Sequence, residues 1–298
     1  MNNPVENLQS PHFIIAGAMK SATTTLQEQL ARQPGIFMCE PKEPNFFSDD
    51  EHYGKGLAWY KALFSHAQPG DLLGEASTHY TKLPTYPDSV KRLRESLPDA
   101  RFIYVMRHPV DRLVSHYIHE WSMGKIDSSI DEAVHQHREM VAYGQYAMQL
   151  KPFFEVYGRN ALLPVFFDRL IREPQAELER VCRFIGYGRA PVWVRDLTPA
   201  NVSGERVRRL PLHDLLVESA PATWFRRNLI PQGWRDFVKE RMTMRQRPVL
   251  GHAVRAALEA EFDHDLRRLG DWLGIQLSCK NFKQATGTGE LNWITSYE

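Results

Sequence analysis

The sequence predicts an α/β fold with a central, mostly parallel sheet flanked by helices and a helical C-terminal extension. Short β-rich apolar runs, each followed by a helical pattern, cover Phe13 to Ala16, Arg101 to Met106 and Leu162 to Phe167, and Leu72 with Leu73 suggests a fourth strand. The runs are almost continuously apolar, as expected of strands buried on both faces of a parallel sheet. Because ligands of such sheets bind beyond the carboxyl ends of the strands, we expect functional residues directly after these runs.

Helical patterns dominate the chain after Arg172. Apolar residues recur at helical spacing in Pro174 to Ile185, Val207 to Val217 and Val249 to Leu273. The prolines and glycines between Gly186 and Gly204 predict a long ordered loop or cover. We therefore expect one domain over 1–298, with a core over about 11–190, a helical cover and C-terminal extension over about 191–280, and a poorly packed tail over 281–298.

The composition is that of an ordinary globular protein, with 298 residues of which 43% are hydrophobic and 24% charged. The formal net charge of +1 gives no global field for nucleic acid or for a membrane surface, so neither is expected as a partner and any anion site must be built locally. The oligomeric state does not follow from the sequence.

The cysteines indicate a reducing compartment. Cys39, Cys182 and Cys279 are odd in number, widely spaced and without a CxxC pair, which favours neither a disulfide framework nor a zinc site. The first residues lack the basic-then-apolar pattern of a signal peptide, and no run of about 18 apolar residues occurs. We expect a cytoplasmic protein that needs no metal.

The segment FIIAGAMKSATTTLQEQL reads as a buried strand, a glycine-containing turn and a helix that opens in hydroxyl residues. Such a junction presents backbone N–H groups and the positive end of the helix dipole to one point, which makes an anion site. The candidate ligands are Gly17, Ala18, Lys20, Ser21, Ala22, Thr23, Thr24 and Thr25. Under the alternative interpretation, Thr23 or Thr24 only caps the helix and Lys20 is a surface residue.

A nucleoside-triphosphate P-loop, GxxxxGK[ST], does not fit, because Lys20 follows Gly17 by three residues and the segment has no GK[ST]. GAMKSATTTL instead resembles the 5′-phosphosulfate loop, GxxKxGTT, of sulfotransferases that use 3′-phosphoadenosine 5′-phosphosulfate (PAPS) as donor. Ala22 stands where that family usually has glycine. We expect Ala22 to lie in the first helical turn, where alanine is unstrained, rather than at a position of positive φ.

A second anion site is predicted in RFIYVMRHPVDRLVSHY. Arg107 follows a strand, Pro109 suits a first helical turn, and Ser115 lies two turns along that helix, so an arginine fork and a hydroxyl can reach one phosphate. Taken alone, Arg107 could instead pair with Asp111, and Ser115 could face a neighbouring helix. The run resembles the 3′-phosphate site of sulfotransferases, and the resemblance implies that role for Arg107 and Ser115.

The segments EPKEPNFFSDDEHYGKGLAWYKALF and DLLGEASTHY are similar to the corresponding region of heparan sulfate (3-O- and N-) sulfotransferases. The resemblance covers about Phe13 to Tyr117 and implies a P-loop-like three-layer fold, with Glu75 as catalytic base and Lys42 near the transferred group. A carboxylate at a strand end can take the proton of an attacking hydroxyl, while Lys20 stabilises charge on the leaving oxygen.

Other assignments stay open. Glu75 could form a structural ion pair with Lys20 or Lys42, and His79 is the second candidate for the base, since histidine titrates near neutrality. His108 and His12 are interpreted as ordinary polar residues. The spacing of Phe46, Phe47, Trp59 and Tyr60 is more typical of core packing than of ligand contact.

Basic clusters occur at Arg206 to Leu210, Trp224 to Asn228 and Arg245 to Pro248, and most clusters of this kind are solvated faces. Because related sulfotransferases place a segment over the nucleotide after the cover loop, Arg206, Arg208 and Arg209 are candidate nucleotide contacts, although the usual K-G or R-K-G triplet is missing. The sequence thus predicts transfer of a sulfuryl group from PAPS to a hydroxyl, or as second choice an amine, of a small-molecule or carbohydrate acceptor, leaving 3′-phosphoadenosine 5′-phosphate (PAP). The alternatives are a nucleotide or sugar kinase and a non-catalytic nucleotide-binding protein.

Overall fold

The computed structural model of the chain describes residues 10–195, 206–207, 243–244 and 246–294. Its main sheet consists of β1 (Phe13–Gly17), β2 (Ile36–Met38), β3 (Leu72–Ala76), β4 (Arg101–Met106) and β5 (Leu162–Phe166). All neighbouring strands are parallel, in the order β2-β3-β1-β4-β5, which confirms the predicted parallel sheet. A separate antiparallel pair joins β6 (Arg206–Val207) to β7 (Thr243–Met244).

The helices follow the strands in alternation up to β5 and then dominate. They are α1 (Thr23–Ala31), α2 (Asp50–Gly54), α3 (Gly56–Ala62), α4 (Ser89–Ser96), α5 (Pro109–Ser122), α6 (Ile130–Gln136), α7 (Glu139–Ala142), α8 (Tyr146–Tyr157), α9 (Phe167–Arg172), α10 (Pro174–Ile185), α11 (His252–Leu273) and α12 (Phe282–Thr286). Short 3₁₀ turns cover Thr78–Thr81 and Arg159–Ala161.

The strand predictions are confirmed with small changes of boundary. The two leucines that suggested a fourth strand open β3, which continues to Ala76. Sequence analysis missed β2, whose three residues IFM pair with β3 through Ile36 and Leu72. A run this short has no room for a recognisable periodicity.

Among the helix predictions, α10 has the predicted bounds, whereas α11 begins at His252 and not at Val249. Val249 is 83% exposed, and Gly251 occupies the N-cap of α11, so the apolar pattern starts before the helix does. The predicted helix Val207–Val217 lies outside the described residues apart from Val207, which is in β6. Residues 186–195 of the predicted loop have no regular structure, and 196–204 are not described.

The core has two parts, one on each face of the sheet. Ile14 and Ala16 of β1 point into a large cluster with residues of α4, α5, α8 and α11, while Phe13 and Ile15 pack with α1 and α10. This alternation along a fully buried strand places helices on both faces and gives the three-layer arrangement predicted from the sequence.

The expectation of a poorly packed tail is wrong for the described part of that segment. Phe282 is completely buried and Trp293 is 8% exposed. The indole Nε1 of Trp293 donates a hydrogen bond of 2.7 Å to the carbonyl of Leu162, next to the sheet edge. The buried guanidinium of Arg180 donates to the carbonyl of Leu291 and to the side chain of Asn292.

The sequence contains no apolar run long enough for a membrane-spanning helix. In the described ranges, none of the helices combines the length and the apolar composition needed to cross a bilayer.

Candidate active site

The β1–α1 loop, residues 17–25, leaves the middle of the sheet at its carboxyl edge. Gly17 ends β1 at a close approach: a Cβ there would lie 2.3 Å from Thr81 Oγ1 and 2.7 Å from the ring of Tyr104, so only glycine fits. The Ala18 N–H then donates to the carbonyl of Val105 in β4 at 2.8 Å. The loop is thus fixed to the strand from which the second predicted anion site emerges.

Two non-glycine residues of this loop have a left-handed backbone. Lys20 has a φ of 67° and Ala22 a φ of 69°. Ala22 is the N-cap of α1 and does not lie in the first helical turn, which corrects the expectation stated above. The position requires the conformation that glycine adopts without strain, so the alanine carries a cost of about 1 kcal/mol.

The hydroxyl residues of the loop differ in their surroundings. Thr23 is the first helical residue, and α1 has no side-chain cap, so neither Thr23 nor Thr24 acts as a cap. The side chain of Ser21 is completely buried, and its hydroxyl lies beside the buried hydroxyl of Tyr146.

Arg107 follows the last residue of β4 and reaches back to the β1–α1 loop. Its Nη1 donates to the carbonyl of Lys20 at 3.3 Å, and its guanidinium lies 4.5 Å from the ring centroid of Phe167. Burial lowers the pKa of Arg107, partly offset by the nearby Asp111. The predicted role of Pro109 at the start of a helix is confirmed, since it occupies the first turn of α5.

A cavity of about 640 Å³ opens at this edge of the sheet, and we refer to it as the strand-end cavity. Of the residues predicted to form the site, it is lined by Lys20, Ala22, Thr23, Thr24, Thr25, Lys42, His79, Arg107 and Ser115. It is also lined by residues that sequence analysis did not assign, namely Met19, Glu43, Thr78, Lys82, His119, Glu120, Lys125, Phe167, Ile171 and Arg247. A larger cavity of about 1190 Å³ between α8 and α11 contains none of those predicted site residues that the structure describes.

Lys42 joins the strand-end cavity from the segment after β2. Its Nζ donates to the hydroxyl of Thr24, and burial lowers the pKa of this lysine while Glu43 partly offsets the effect. The neighbouring Glu43 accepts a hydrogen bond from Thr78 at 3.0 Å and has a left-handed backbone with a φ of 55°. The motif that suggested Lys42 therefore also brings a carboxylate to the cavity.

Glu75 lies beneath the cavity and does not line it. The side chain is completely buried in β3, where Tyr60 donates to Oε2 and Tyr80 donates to Oε1 at 2.7 Å. Burial raises the pKa of Glu75, and the hydrogen bonds from Ser77, Tyr60 and Tyr80 act in the opposite direction. Both carboxylate oxygens are thus held by tyrosine hydroxyls.

His79 lines the cavity wall from the 3₁₀ turn after β3. Its ring stacks on Tyr86 at a centroid distance of 4.7 Å, and burial together with Lys82 lowers its pKa to about 4. Nearby, Lys82 is 8% exposed, and burial lowers its pKa to about 8. At neutral pH the imidazole is uncharged while the ammonium of Lys82 is charged.

Four residues that the sequence indicated to be structural lie in the protein interior and not in the wall of the strand-end cavity. His108 is buried, hydrogen-bonds the carbonyl of Cys279 at 3.0 Å and does not line the cavity. Phe46, Phe47 and Tyr60 are at most 1% exposed and belong to the core, which confirms the packing interpretation.

The C-terminal basic residues are only partly described. Arg206 lies in β6 but its side chain is not described, and Arg208 and Arg209 lie outside the described residues. Arg247, from a cluster interpreted as a solvated face, lines the strand-end cavity near Asp111. Its cluster carries no motif, so no sequence signal separated it from the others.

Comparison with known proteins places the chain in a family. The model of the sulfotransferase domain matches residues 10–259. The chain belongs to the sulfotransferase domain family. Heparan sulfate glucosamine 3-O-sulfotransferase 3B1 of Mus musculus is 30% identical over 190 residues, which are 61% of this chain and 47% of that protein. Heparan sulfate glucosamine 3-O-sulfotransferase 6 of Homo sapiens is 29% identical over 187 residues, which are 60% of this chain and 53% of that protein. This sulfotransferase-family chain thus spans about half the length of these relatives.

A solved structure supports the fold. The sulfotransferase from Alicyclobacillus acidocaldarius superposes with a TM-score of 0.63 at 23% sequence identity. The superposition covers 90% of this chain and 98% of that protein's chain. The architecture of this sulfotransferase-family chain, including the predicted P-loop-like three-layer arrangement, is therefore that of its family.

Proposed function

We propose that the chain transfers a sulfuryl group from PAPS to a hydroxyl, or as second choice an amine, of a small-molecule or carbohydrate acceptor. One observation carries the proposal: Lys20 and Arg107, which follow neighbouring strands, line one cavity, and Arg107 Nη1 lies 3.3 Å from the carbonyl oxygen of Lys20. Membership of the sulfotransferase domain family supports it, as do relatives named for sulfation of glucosamine in heparan sulfate.

The residues of the strand-end cavity fit an adenosine carrying phosphate groups at both ends. The β1–α1 loop, with Lys20, Thr23, Thr24 and Thr25 in the cavity wall, would hold the 5′-phosphosulfate. The predicted ligand Ser21 is not among the residues that line the cavity. Arg107 and Ser115 would hold the 3′-phosphate, since a guanidinium fork and a hydroxyl match a phosphate dianion. Phe167 and Ile171 provide apolar surface beside Arg107 for the nucleoside.

Bound PAPS supplies the sulfuryl group and a phosphate leaving group. The ammonium groups of Lys20 and Lys42, which both line the cavity, would stabilise the negative charge that grows on the leaving oxygen, and the hydroxyl of Thr24 holds Lys42 against the loop. As in phosphoryl transfer, positioning and charge stabilisation would supply most of the rate.

The acceptor proton requires a base, and we propose Glu75 for this role, as the resemblance implies. Its raised pKa favours proton uptake, but its oxygens are hydrogen-bonded to Tyr60 and Tyr80 beneath the cavity. Glu43 and His79 lie in the cavity wall and are the comparison residues for any test of the base.

Three further features belong to the proposal. Among the described residues no group of three or more His, Cys, Asp or Glu side chains could hold a metal, and the prediction that the reaction needs none stays a prediction. A cytoplasmic location stays a prediction from the sequence, whose three cysteines are widely spaced and form no CxxC pair. A kinase is disfavoured, because the β1–α1 loop lacks the GK[ST] sequence of a triphosphate site.

Sulfate transfer tests the proposal directly. The protein is incubated with PAPS carrying radioactive sulfur and a mixture of small alcohols, phenols, amines and oligosaccharides, and labelled products are resolved by mass spectrometry. We expect labelled product with the wild type and about a hundredfold less with Lys20→Ala, the scale of losing one charge-stabilising contact. Lys91→Ala, at an exposed position of α4, is the matched control and should retain full activity. Equal product from Lys20→Ala and the wild type would reject the catalytic role of the loop.

A further inference from the structure

A tyrosine hydroxyl on α8 holds the backbone of Arg107 at the point where this residue leaves the sheet. Tyr146 is completely buried, its hydroxyl donates to the carbonyl of Arg107 at 2.5 Å, and it accepts from the N–H of the same residue at 3.3 Å. β4 ends one residue earlier, at Met106. One hydroxyl therefore serves both backbone polar groups of Arg107.

The helix turn that carries Tyr146 is held in place by an aspartate of α11. The carboxylate of Asp265, on α11, accepts hydrogen bonds of 2.9 Å from the N–H groups of Ala147 and Met148. These contacts hold the first turn of α8, and with it the ring of Tyr146. The position of Arg107 thus depends on a helix that contributes no side chain to the strand-end cavity.

Tyr146 also supports the β1–α1 loop indirectly: its ring contacts Tyr104, and Tyr104 contacts the loop at Gly17. The two rings meet edge to face with centroids 6.0 Å apart, and Tyr104 lies directly under Gly17. Above them, the guanidinium of Arg107 hydrogen-bonds the carbonyl of Lys20. Tyr146 and Tyr104 form a common floor under the two halves of the proposed nucleotide site.

We propose that Tyr146 is a positioning residue that fixes the distance between the two phosphate sites, so that a nucleotide phosphorylated at both the 3′ and the 5′ position is preferred over one with a single phosphate. The inference rests on the proposed function, since it takes Arg107 as the 3′-phosphate ligand. Tyr146 acts through Arg107 and does not line the strand-end cavity. Loss of its hydroxyl frees the backbone of Arg107 and removes the interaction with Ser21, while the β1–α1 loop keeps the backbone hydrogen bond from Ala18 to β4.

The test compares two nucleotides by calorimetry on the full chain. PAP carries both phosphates, whereas adenosine 5′-monophosphate (AMP) carries only the one that the β1–α1 loop would hold. For Tyr146→Phe we expect the Kd of PAP to rise about tenfold, the scale of one lost hydrogen bond in a charged site, and the Kd of AMP to change less than about twofold. In an Arg107→Ala background the same substitution should cost nothing further.

Tyr143→Phe is the matched control, because it removes another tyrosine hydroxyl, hydrogen-bonded to Thr85, from the segment just before α8. It should leave both affinities unchanged. If Tyr146→Phe melts early, the same ratio of PAP to AMP affinity is measured at low temperature, where the variant is folded.

The outcomes separate the two claims. A wild type that binds no PAP rejects the proposed function. A wild type that binds PAP, together with a Tyr146→Phe variant whose PAP and AMP affinities are unchanged or fall equally, overturns the positioning role alone. So does an undiminished effect of Tyr146→Phe in the Arg107→Ala background.

Discussion

Single side chains give the strand-end cavity a charge that the whole chain lacks. The net charge of the protein is +1, yet among the described residues the cavity is lined by six cations and two carboxylates: Lys20, Lys42, Lys82, Lys125, Arg107 and Arg247 against Glu43 and Glu120. An anion entering the cavity meets this local excess of positive charge within a partly buried site, where screening by solvent is weak. The chemistry of the site is therefore set by residues and not by the overall composition.

The proton acceptor can be identified by paired substitutions. Glu75→Gln keeps the shape of the side chain and a hydrogen-bonding group for Tyr80, so folding and PAP binding should be preserved while turnover falls at least about a hundredfold. Glu43→Gln, in the cavity wall, is the matched control and should keep turnover within a few-fold. Turnover is measured with PAPS, and binding with PAP.

The reverse pattern, with Glu43→Gln inactive and Glu75→Gln active, would assign the proton to Glu43. Full activity in both variants would move the role to His79. Since the pKa of His79 is about 4, that result would also predict a rate that is independent of pH between about 6 and 8.

Lys82 makes stability depend on pH. Burial lowers its pKa from 10.5 to about 8, so between these values the unfolded chain binds more protons than the folded chain and stability rises with pH. At pH 7 the buried ammonium opposes folding. We expect Lys82→Met to be more stable than the wild type at pH 7 by on the order of 2 kcal/mol, with the difference shrinking towards pH 10.

Urea unfolding at the two pH values measures this difference. Lys91→Met, on an exposed surface, should show no pH-dependent difference from the wild type. A stability difference between Lys82→Met and the wild type that is the same at pH 7 and pH 10 would contradict the lowered pKa of Lys82 as the cause.

For single residues, the sequence predicts which side chains line the cavity, but it does not predict their backbone conformation or their hydrogen-bond partners. Lys20, Lys42, Arg107 and Ser115 were found because motifs mark them. The left-handed backbone of Ala22 was predicted wrongly, because alanine itself prefers the helical conformation, although the glycine that the resembling loop has at this position was a sign of it. The burial of Glu75 under two tyrosines depends on packing across the sheet, which spacing along the chain does not report.

Secondary-structure elements place these residues by a simple rule. β1, β3 and β4 are adjacent and parallel, so the β1–α1 loop, the 3₁₀ turn after β3 and Arg107 all meet at one edge. The long apolar strands were predictable because burial on both faces leaves a continuous signal. β2 and the packed C-terminal segment were not, since their apolar residues are few and their partners are distant in sequence.

The C-terminal segment should contribute to stability as an element of the core. Trp293 is 8% exposed, donates to the carbonyl of Leu162, and packs against Phe154 at a ring distance of 5.0 Å. Trp293→Ala should lower the free energy of unfolding by about 3 kcal/mol or more, because it leaves a cavity and an unpaired carbonyl.

Urea unfolding is again the measurement for this segment. Val249→Ala, at a position that is 83% exposed, should change stability by less than about 0.5 kcal/mol. If Trp293→Ala were as stable as Val249→Ala, the segment would not belong to the cooperative core.

At the scale of the molecule, the sequence predicted the architecture and the edge of the sheet that carries the site. What it could not predict is which C-terminal residues would contact the proposed nucleotide, since the C-terminal basic clusters carry no motif of their own. The proposed function therefore requires that the β1–α1 loop and Arg107 bind the two ends of one nucleotide.

Calorimetric titration with PAP in the absence of magnesium tests that claim most directly. We predict one PAP bound per chain with micromolar affinity or tighter, weakened at least about tenfold but still measurable in both Lys20→Ala and Arg107→Ala, and unchanged in Lys91→Ala. The absence of binding heat with PAP, together with binding of ATP in the presence of magnesium, would contradict the account in favour of a kinase.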